Sequence, residues 1–247
     1  MAANVKYNPA NIGDILKHSW LIEVVDQLAK TDPFSAFLYA DTFCGFKDYP
    51  IDSFFRDRLQ EKFVDAPLYR IQEPYLRDNR YLGSVSIIKE LIGDRLRVDV
   101  FDKNIEALHS HGDTSTRFLE LQSGYDVLQK MINYNLILLD PYDDFLDEYK
   151  AVIRGISWRV MESSVLLFVP YLHDNEFRDV KAFAKSLHVD FTTGTIKSED
   201  IDHDGKYSYG MIFFPAKGLD YWYKRDIKMA LRKITKMVVS QIQFQSR

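Results

Sequence analysis

The stretch Leu136–Phe145, LILLDPYDDF, places four aliphatic residues directly before Asp140, Pro141 and Tyr142. An apolar run of this kind, which begins at about Tyr134, predicts a strand that is buried on both faces of a sheet. Similar runs recur along the chain between segments in which apolar residues have helical spacing. This alternation predicts an α/β fold with a twisted, mostly parallel sheet and helices on both faces.

The individual elements can be placed from the same patterns. Helices are predicted at 11–30, 83–92, 147–162, 174–187 and from about 219 onwards. Strands are predicted at 35–43, 95–102, 134–140, 164–170, DFTTGTI and SYGMIFFPA, and a strand followed by a turn at 116–124. Asn11 or Asp14 is a candidate cap for the first helix and Ser84 for the second. The charged stretch 48–80 interrupts the alternation. It is predicted to be a helix-poor insertion subdomain within a single domain of residues 1–247.

Composition excludes several classes of protein. The 247 residues are 46% hydrophobic, which is enough for one sizeable core, and the net charge is −4. The single cysteine, Cys44, excludes an internal disulfide and an all-cysteine zinc site. Neither a signal-peptide pattern nor an apolar run of about 18 residues is present, so we expect a soluble, cytoplasmic protein with no membrane partner. The negative charge disfavours non-specific coating of nucleic acid, but it leaves room for a local basic patch.

The predicted strand ends mark a candidate ligand site. Parallel sheets bind ligands beyond the carboxyl ends of their strands. These ends carry Asp41, Asp102, Asp140 and the pair Ser123-Gly124. One such acid alone usually caps a helix or starts a turn, but three acids on successive strands favour a ligand site. Asp102 precedes a Lys-Asn turn and a helix, so it is a candidate to bind the ribose hydroxyls of a nucleotide-like cofactor.

Other patterns point to no metal and to no other enzyme class. His109 and His111 form an H-x-H pair beside Gly112, which we interpret as a solvated loop. The acidic segment 200–208 lacks the spacing of a calcium loop. No G-x-S-x-G is present, which disfavours a serine hydrolase. Cys44 is more typical of a small buried residue than of a nucleophile.

The predicted C-terminal helix has two distinct sides. Its apolar positions, Ile227, Leu231, Ile234 and Val238, have the spacing of a face that packs on the sheet. Seven basic residues lie between 217 and 236, near three consecutive aromatic residues at 221–223. Such a side either faces water or binds phosphates and stacks on bases, and the sequence leaves both interpretations open.

Several segments together resemble a known family. NIGDILKHSWLIEVV, LYADTFCG, YLGS, LILLDPYDDFLDEYKAVIRGI and YSYGMIFFPA occur in this order. The chain thereby resembles the J-type bacterial 23S rRNA adenine-N6 methyltransferases over most of its length, with 48–80 matching poorly. The resemblance implies a class I methyltransferase (Rossmann-like) fold, S-adenosylmethionine as cofactor, and adenine in nucleic acid as acceptor, with RNA favoured over DNA.

The resemblance also implies roles for individual residues. Asp140 would be the catalytic acid, with Pro141 and Tyr142 framing the acceptor. An adenine amine is a poor nucleophile, so a carboxylate that accepts its N–H bond would favour the reactive form. The cofactor would lie near the remaining candidates: His18, Asp41, Gly45, Ser84, Asp102, Ser123 and Gly124.

The site segments depart from the family more than the scaffold segments do. The family's D-P-P-Y is replaced by D-P-Y-D at 140–143, and Lys47 stands where a second glycine is expected. Phe43 replaces a histidine and Ser123 replaces an acid. The alternative hypothesis is therefore a catalytically inactive relative that binds nucleic acid or protein.

Overall fold

The structure is a computed structural model, and it describes residues 9–113, 115–121, 124–141, 145–197 and 207–243. The strands are β1 (Phe37–Asp41), β2 (Asp48–Pro50), β3 (Arg80–Leu82), β4 (Leu96–Asp102), β5 (Thr116–Leu121), β6 (Leu136–Leu139), β7 (Ser164–Tyr171), β8 (Thr192–Ile196) and β9 (Ser208–Phe214). The α-helices are α1 (Ile12–Ala29), α2 (Ser53–Lys62), α3 (Pro67–Leu76), α4 (Ser84–Ile92), α5 (Ile105–Ser110), α6 (Phe145–Arg159), α7 (Asp174–Ser186) and α8 (Tyr221–Gln243). Short 3-10 turns occupy Gly93–Arg95 and Gly124–Gln129.

Seven strands form the main sheet in the order β5-β4-β1-β6-β7-β9-β8. The first five strands in this order are parallel, and β9 runs antiparallel to both β7 and β8. The prediction of a mostly parallel sheet is therefore confirmed. The strand order reverses direction between β1 and β6, so a crevice is expected above the carboxyl ends of these two strands.

Helices cover both faces of the sheet, and two hydrophobic clusters result. One cluster joins α1, α3, α4 and α8 to one face, and the other joins α6 and α7 to the opposite face. All four residues of β6 are buried because neighbours cover both of its sides. Its uninterrupted apolar run is thus explained.

The first helix begins where its capping residue predicts. The side chain of Asn11 caps α1 and accepts a hydrogen bond from the backbone N–H of Asp14 at 3.0 Å. The helix is buried around most of its circumference, and even Lys17 and His18 are less than a tenth exposed. None of the helices in the described ranges is long and apolar enough to cross a membrane.

The prediction for 48–80 was wrong in one respect, because this segment is not poor in helix. It contains α2 and α3, and β2 pairs antiparallel with β3 in a separate two-stranded ribbon. Leu59, Phe63 and Leu68 are buried in the same hydrophobic cluster as α1. Helix α2 has ten residues, half of them charged, and buries only Leu59, so it shows little apolar periodicity. Helix α3 contains Pro74, a residue that normally disfavours a helix interior.

The C-terminal helix packs as its apolar spacing predicts. Ile227, Leu231, Ile234 and Val238 are all at most 5% exposed. The indole N–H of Trp20 in α1 donates to the hydroxyl of Thr235 at 3.0 Å. This bond joins the two helices across the core.

Candidate active site

The strand order brings three acids to one edge of the sheet. Asp41 ends β1, Asp102 ends β4, and Asp140 follows β6 directly. Since β1 lies between β4 and β6, the three carboxylates stand on adjacent strands. Asp41 is in register with Val100 and Leu138, so the other two acids lie two residues further along their strands.

Lys17 of α1 reaches across the edge to Asp140. Its Nζ lies 2.5 Å from Oδ2 of Asp140 and 2.9 Å from Oδ1 of Asp14, one helical turn earlier. Only 9% of the Lys17 side chain is exposed, compared with 16% for Asp14 and 20% for Asp140. Burial lowers the pKa of Lys17, but the two carboxylates outweigh it and raise the pKa overall. Lys17 is therefore a fixed positive charge at the base of the site.

Asp140 is a weaker acid than an ordinary aspartic acid. Burial is the largest effect and raises its pKa from 3.8 to about 6, although the charge and hydrogen bond of Lys17 oppose the shift. Asp14 and Asp41 raise the pKa further by charge repulsion. A carboxylate of this kind is ionised at neutral pH and is also a good proton acceptor.

Asp41 has one satisfied oxygen and one that lacks a partner. Its Oδ2 accepts hydrogen bonds from the hydroxyl of Tyr39, at 2.8 Å, and from that of Ser84. Its Oδ1 and the hydroxyl of Thr42 are buried with no hydrogen-bond partner among the described residues. Burial raises the pKa of Asp41. Unpaired buried polar atoms are costly, so this end of β1 is suited to a ligand that supplies a positively charged donor.

Asp102 organises the turn that follows β1. Its Oδ2 accepts the N–H of Gly45 at 3.0 Å, and its Oδ1 accepts the N–H of Asn104 at 2.8 Å. Gly45 has φ 56°, a left-handed conformation that favours glycine. Two backbone bonds leave part of the accepting capacity of the carboxylate free for a further donor.

The interpretation of the H-x-H pair as a solvated loop was wrong for His111. Its side chain is buried, and its Nε2 lies 3.0 Å from the carbonyl oxygen of Gly45. Burial lowers the pKa of His111. This contact joins the C-terminal end of α5 to the glycine turn after β1. His109 remains exposed.

His18 and Ser84 both contact residues near the carboxyl end of β1 or the segment β3–α4. Nδ1 of His18 lies 2.8 Å from the hydroxyl of Tyr81 in β3, and burial lowers the pKa of the ring well below 6.5. Ser84 was predicted to cap α4, but Gly83 is the capping residue. Ser84 is instead the first helical residue, where its hydroxyl is free to bond Asp41.

Gly124 makes the tightest backbone approach near the site. A side chain at this position would overlap the carbonyl oxygen of Thr42, so the 3-10 turn after β5 lies directly against the end of β1. Next to it, Phe43 is buried and packs edge-on against Tyr125 at 5.3 Å. Ser123 lies outside the described residues.

The structure describes only one of the two residues predicted to frame the acceptor, Pro141 and Tyr142. Pro141 is buried directly after Asp140. Residues 142–144, which are Tyr142 and the two acids that follow it, lie outside the described residues, as do all of residues 198–206. Among the residues that the structure describes, no cluster of His, Cys, Asp and Glu could hold a metal ion.

Sequence reasoning missed the role of Lys17 and the aromatic residues beside it. The Lys17 Nζ lies 5.4 Å from the centre of the Phe168 ring, which stacks on Tyr209 at 5.6 Å. The available signal was a lysine on a largely apolar helix, three residues after an acid. The signal for Asp140 as its partner was absent, because the two residues are far apart in the chain.

Comparison with known proteins establishes the fold. No protein-family model matches the chain, and no curated protein matches its sequence. The chain is similar in structure to protein LPL1258 from Legionella pneumophila strain Philadelphia 1, of the family designated DUF519, with a TM-score of 0.73 and 14% identity over 94% of each chain. At this identity the similarity concerns the fold alone.

More distant similarities extend to methyltransferases. Precorrin-6y C5,15-methyltransferase from Geobacter metallireducens has a TM-score of 0.41 at 11% identity, over 78% of this chain and 87% of that one. Magnesium protoporphyrin IX methyltransferase from Synechocystis PCC 6803 has a TM-score of 0.42 at 13% identity, over 82% and 81%. Similarity at this level does not establish an activity.

The described residues have a Rossmann-like α/β fold: a seven-stranded, mostly parallel sheet with helices on both faces.

Proposed function

We propose that the protein is an S-adenosylmethionine-dependent methyltransferase that acts on the exocyclic amine of adenine in nucleic acid. The observation that carries the proposal is Asp140, a partly buried acid with a pKa of about 6 that contacts Lys17 at the switch point of the sheet. This combination provides a positioned proton acceptor beside a crevice that is suited to a nucleotide-like ligand.

The residues at the edge of the sheet fit S-adenosylmethionine. Its α-ammonium group would supply the donor that Oδ1 of Asp41 lacks. Asp102 would accept the ribose hydroxyls with its remaining lone pairs, and Gly45 would let the backbone approach the ligand. By resemblance, the adenine ring would lie near Gly124 and Ser123. When bound, the cofactor would supply an activated methyl group.

Asp140 would act on the acceptor amine. Its carboxylate would accept a hydrogen bond from the amine N–H and draw electron density towards the nitrogen. As the new N–C bond forms, the amine must lose one proton, and an ionised acid with a pKa of about 6 can take it. Pro141 and Tyr142 would frame the base. By resemblance the acceptor would be an rRNA-type substrate, which would place the protein in the cytoplasm.

The experiment that tests this function combines cofactor binding with methyl transfer. Calorimetric titration of the purified protein with S-adenosylhomocysteine should show binding, which Asp102→Ala weakens. With labelled S-adenosylmethionine and adenine-containing RNA, Asp140→Asn should reduce transfer at least about 100-fold, in keeping with the loss of an acid–base group. S-adenosylhomocysteine binding by Asp140→Asn should persist.

Asp147→Asn is the matched control, because it removes an exposed carboxylate from the start of the neighbouring helix α6. We expect it to transfer methyl groups at the wild-type rate. Nucleoside mass spectrometry should identify N6-methyladenosine as the product. Full activity of Asp140→Asn would refute the proposed role of this acid.

A second candidate function is a methyltransferase-like protein that binds a partner without catalysis. Phe43 favours it, because this ring is buried against Tyr125 beside the glycine turn. The change from D-P-P-Y to D-P-Y-D points the same way. A folded wild-type protein that gives no heat with S-adenosylhomocysteine would favour this alternative over the enzyme.

A further inference from the structure

Helix α8 concentrates positive charge in a chain that is negative overall. It contains six Lys and Arg residues and one Asp, whereas the net charge of the chain is −4. Lys228, Arg232 and Lys236 are exposed and follow one another at intervals of four residues, with Lys233 alongside. We call these four residues the basic stripe.

The charges of the basic stripe are not neutralised within the described part of the chain. None of its four residues contacts a carboxylate there, and the single acid of the helix, Asp226, pairs with Arg225 at 3.1 Å. A spacing of four residues separates neighbouring cations by roughly 6 Å along the helix. This separation is comparable to that of successive phosphates in an extended nucleic-acid strand.

Exposed aromatic rings lie at the N-terminal end of the same helix. Trp222 is 59% exposed and Tyr221 is 69% exposed, and their rings meet edge-on at 5.7 Å. The guanidinium of Arg225 lies over the Trp222 ring at 4.4 Å. Exposed rings beside a row of cations are the two features with which proteins hold single strands, through base stacking and phosphate contacts.

The basic stripe leads towards the candidate active site. Helices α1 and α8 are antiparallel, since Tyr223 contacts the carbonyl of Lys30 while Thr235 bonds Trp20. Lys236 is therefore level with the first half of α1, the half that carries Lys17. A strand that follows the basic stripe from Trp222 would arrive at the edge where Asp140 lies.

We propose that the basic stripe and Trp222 bind a single strand of RNA and guide it towards Asp140. The inference rests on the proposed function only for the choice of acceptor. A membrane surface fits less well, because the apolar side of α8 is buried in the core and is not available for insertion.

The test compares two variants that each lose four positive charges. The stripe variant carries Lys228→Gln, Arg232→Gln, Lys233→Gln and Lys236→Gln. The control carries Lys150→Gln, Arg154→Gln, Arg178→Gln and Lys185→Gln, all exposed on α6 and α7 at the opposite face of the sheet. Binding of a fluorescein-labelled single-stranded RNA of about 20 nucleotides is measured by anisotropy from 50 to 200 mM salt, and circular dichroism checks folding.

We expect the stripe variant to bind RNA at least about tenfold more weakly, with the slope of log K against log salt reduced by about 3. The control should stay within about twofold of wild type, and Trp222→Ala should weaken binding about fivefold or more. Equal losses in the stripe variant and the control would overturn the proposal, because net charge alone would then explain binding. Stripe-dependent binding to anionic vesicles but not to RNA would also overturn it.

Failure of this inference can be told apart from failure of the proposed function. If the wild-type protein bound S-adenosylhomocysteine but not RNA, the proposed RNA-binding role of the basic stripe would be refuted and the proposed cofactor site would stand. If RNA binding depended on the basic stripe but S-adenosylhomocysteine did not bind, the RNA-binding surface would be supported and the proposed methyltransferase activity would be refuted.

Discussion

Lys17 is almost fully buried in α1, and two carboxylates keep it charged there. Its contacts with Asp14 and Asp140 form an ion triad at the carboxyl end of β6. Removal of one member of a buried ion pair leaves an uncompensated charge. Lys17 is therefore a positioning residue: it orients the carboxylate of Asp140 and limits the rise in its pKa.

The pKa of Asp140 predicts how methyl transfer depends on pH. Because the value is raised to about 6, Asp140 is ionised at pH 8 and mostly protonated at pH 5. Activity should therefore fall as the pH drops through about 6, to roughly a tenth at one unit below the pKa. The rate of methyl transfer measured from pH 5 to 9 with saturating substrates would show this fall, which is the acid limb of the pH profile.

Lys17→Met should move the acid limb of this profile to higher pH. Lys17 lowers the pKa of Asp140 by its charge and its hydrogen bond, so its removal should raise the midpoint by at least about one pH unit. Lys30→Met is the matched control, since it breaks an equally short but exposed pair with Asp26 at the far end of the same helix. An unchanged midpoint in Lys17→Met would show that the limb belongs to another group.

At the scale of elements, the N-terminus of α1 connects helix capping to the site. The bond from Asn11 to the N–H of Asp14 fixes the first turn, and this turn carries the carboxylate that contacts Lys17. A cap of this kind commonly contributes about 1 kcal/mol to helix stability. Here the same bond also sets the geometry of the ion triad.

Asn11→Ala should therefore reduce both stability and methyl transfer. We expect a loss of about 1 kcal/mol in the free energy of unfolding and a reduction of several-fold in rate. Asp52→Ala is the matched control, because it removes the equivalent cap of α2 at a position away from the site. The side chain of Asp52 accepts a hydrogen bond from the N–H of Phe55, at a distance of 3.0 Å. Asp52→Ala should cost similar stability and leave the rate unchanged. If Asn11→Ala and Asp52→Ala changed the rate of methyl transfer equally, the cap of α1 would have no specific link to the ion triad.

At the scale of the whole molecule, close backbone contacts between distant segments shape the edge of the sheet where the three acids lie. Gly124 follows β5 and lies directly against Thr42 at the end of β1. The obstructing atom is the backbone carbonyl of the residue directly after central strand β1, and the N–H of that residue bonds to Leu138 of β6, so it has little freedom to move. The glycine is therefore required by tertiary packing rather than by its own backbone angles.

Gly124→Ala should destabilise the protein by at least about 3 kcal/mol, the upper end of the usual range for overpacking. Gly218→Ala is the matched control, since a side chain there meets open space. Chemical denaturation measures the free energy of unfolding of both variants. A stability of Gly124→Ala equal to that of wild type would contradict the close approach described here.

Much of the scaffold could be predicted from local patterns. The spacing of apolar residues located α1, α8 and the main-sheet strands, and the runs without polar residues indicated burial on both faces. The helices of 48–80 were missed because α2 is half charged and buries a single residue, while α3 contains an internal proline. Asp41, Asp102 and Asp140 were selected because a parallel sheet places its strand ends together.

The partners of these acids could not be predicted in the same way. Lys17 with Asp140, Ser84 with Asp41 and His111 with Gly45 each join segments that are far apart in the chain. Nothing in the residues near any of them marks the partner.

The sequence by itself determined the type and order of most elements, because capping and periodicity act between residues only a few positions apart. Only the tertiary structure decided which side chains meet at the edge of the sheet and which of them remain charged. Those outcomes depend on strand order and on the removal of water from around the acids, and both arise only when the whole chain is packed.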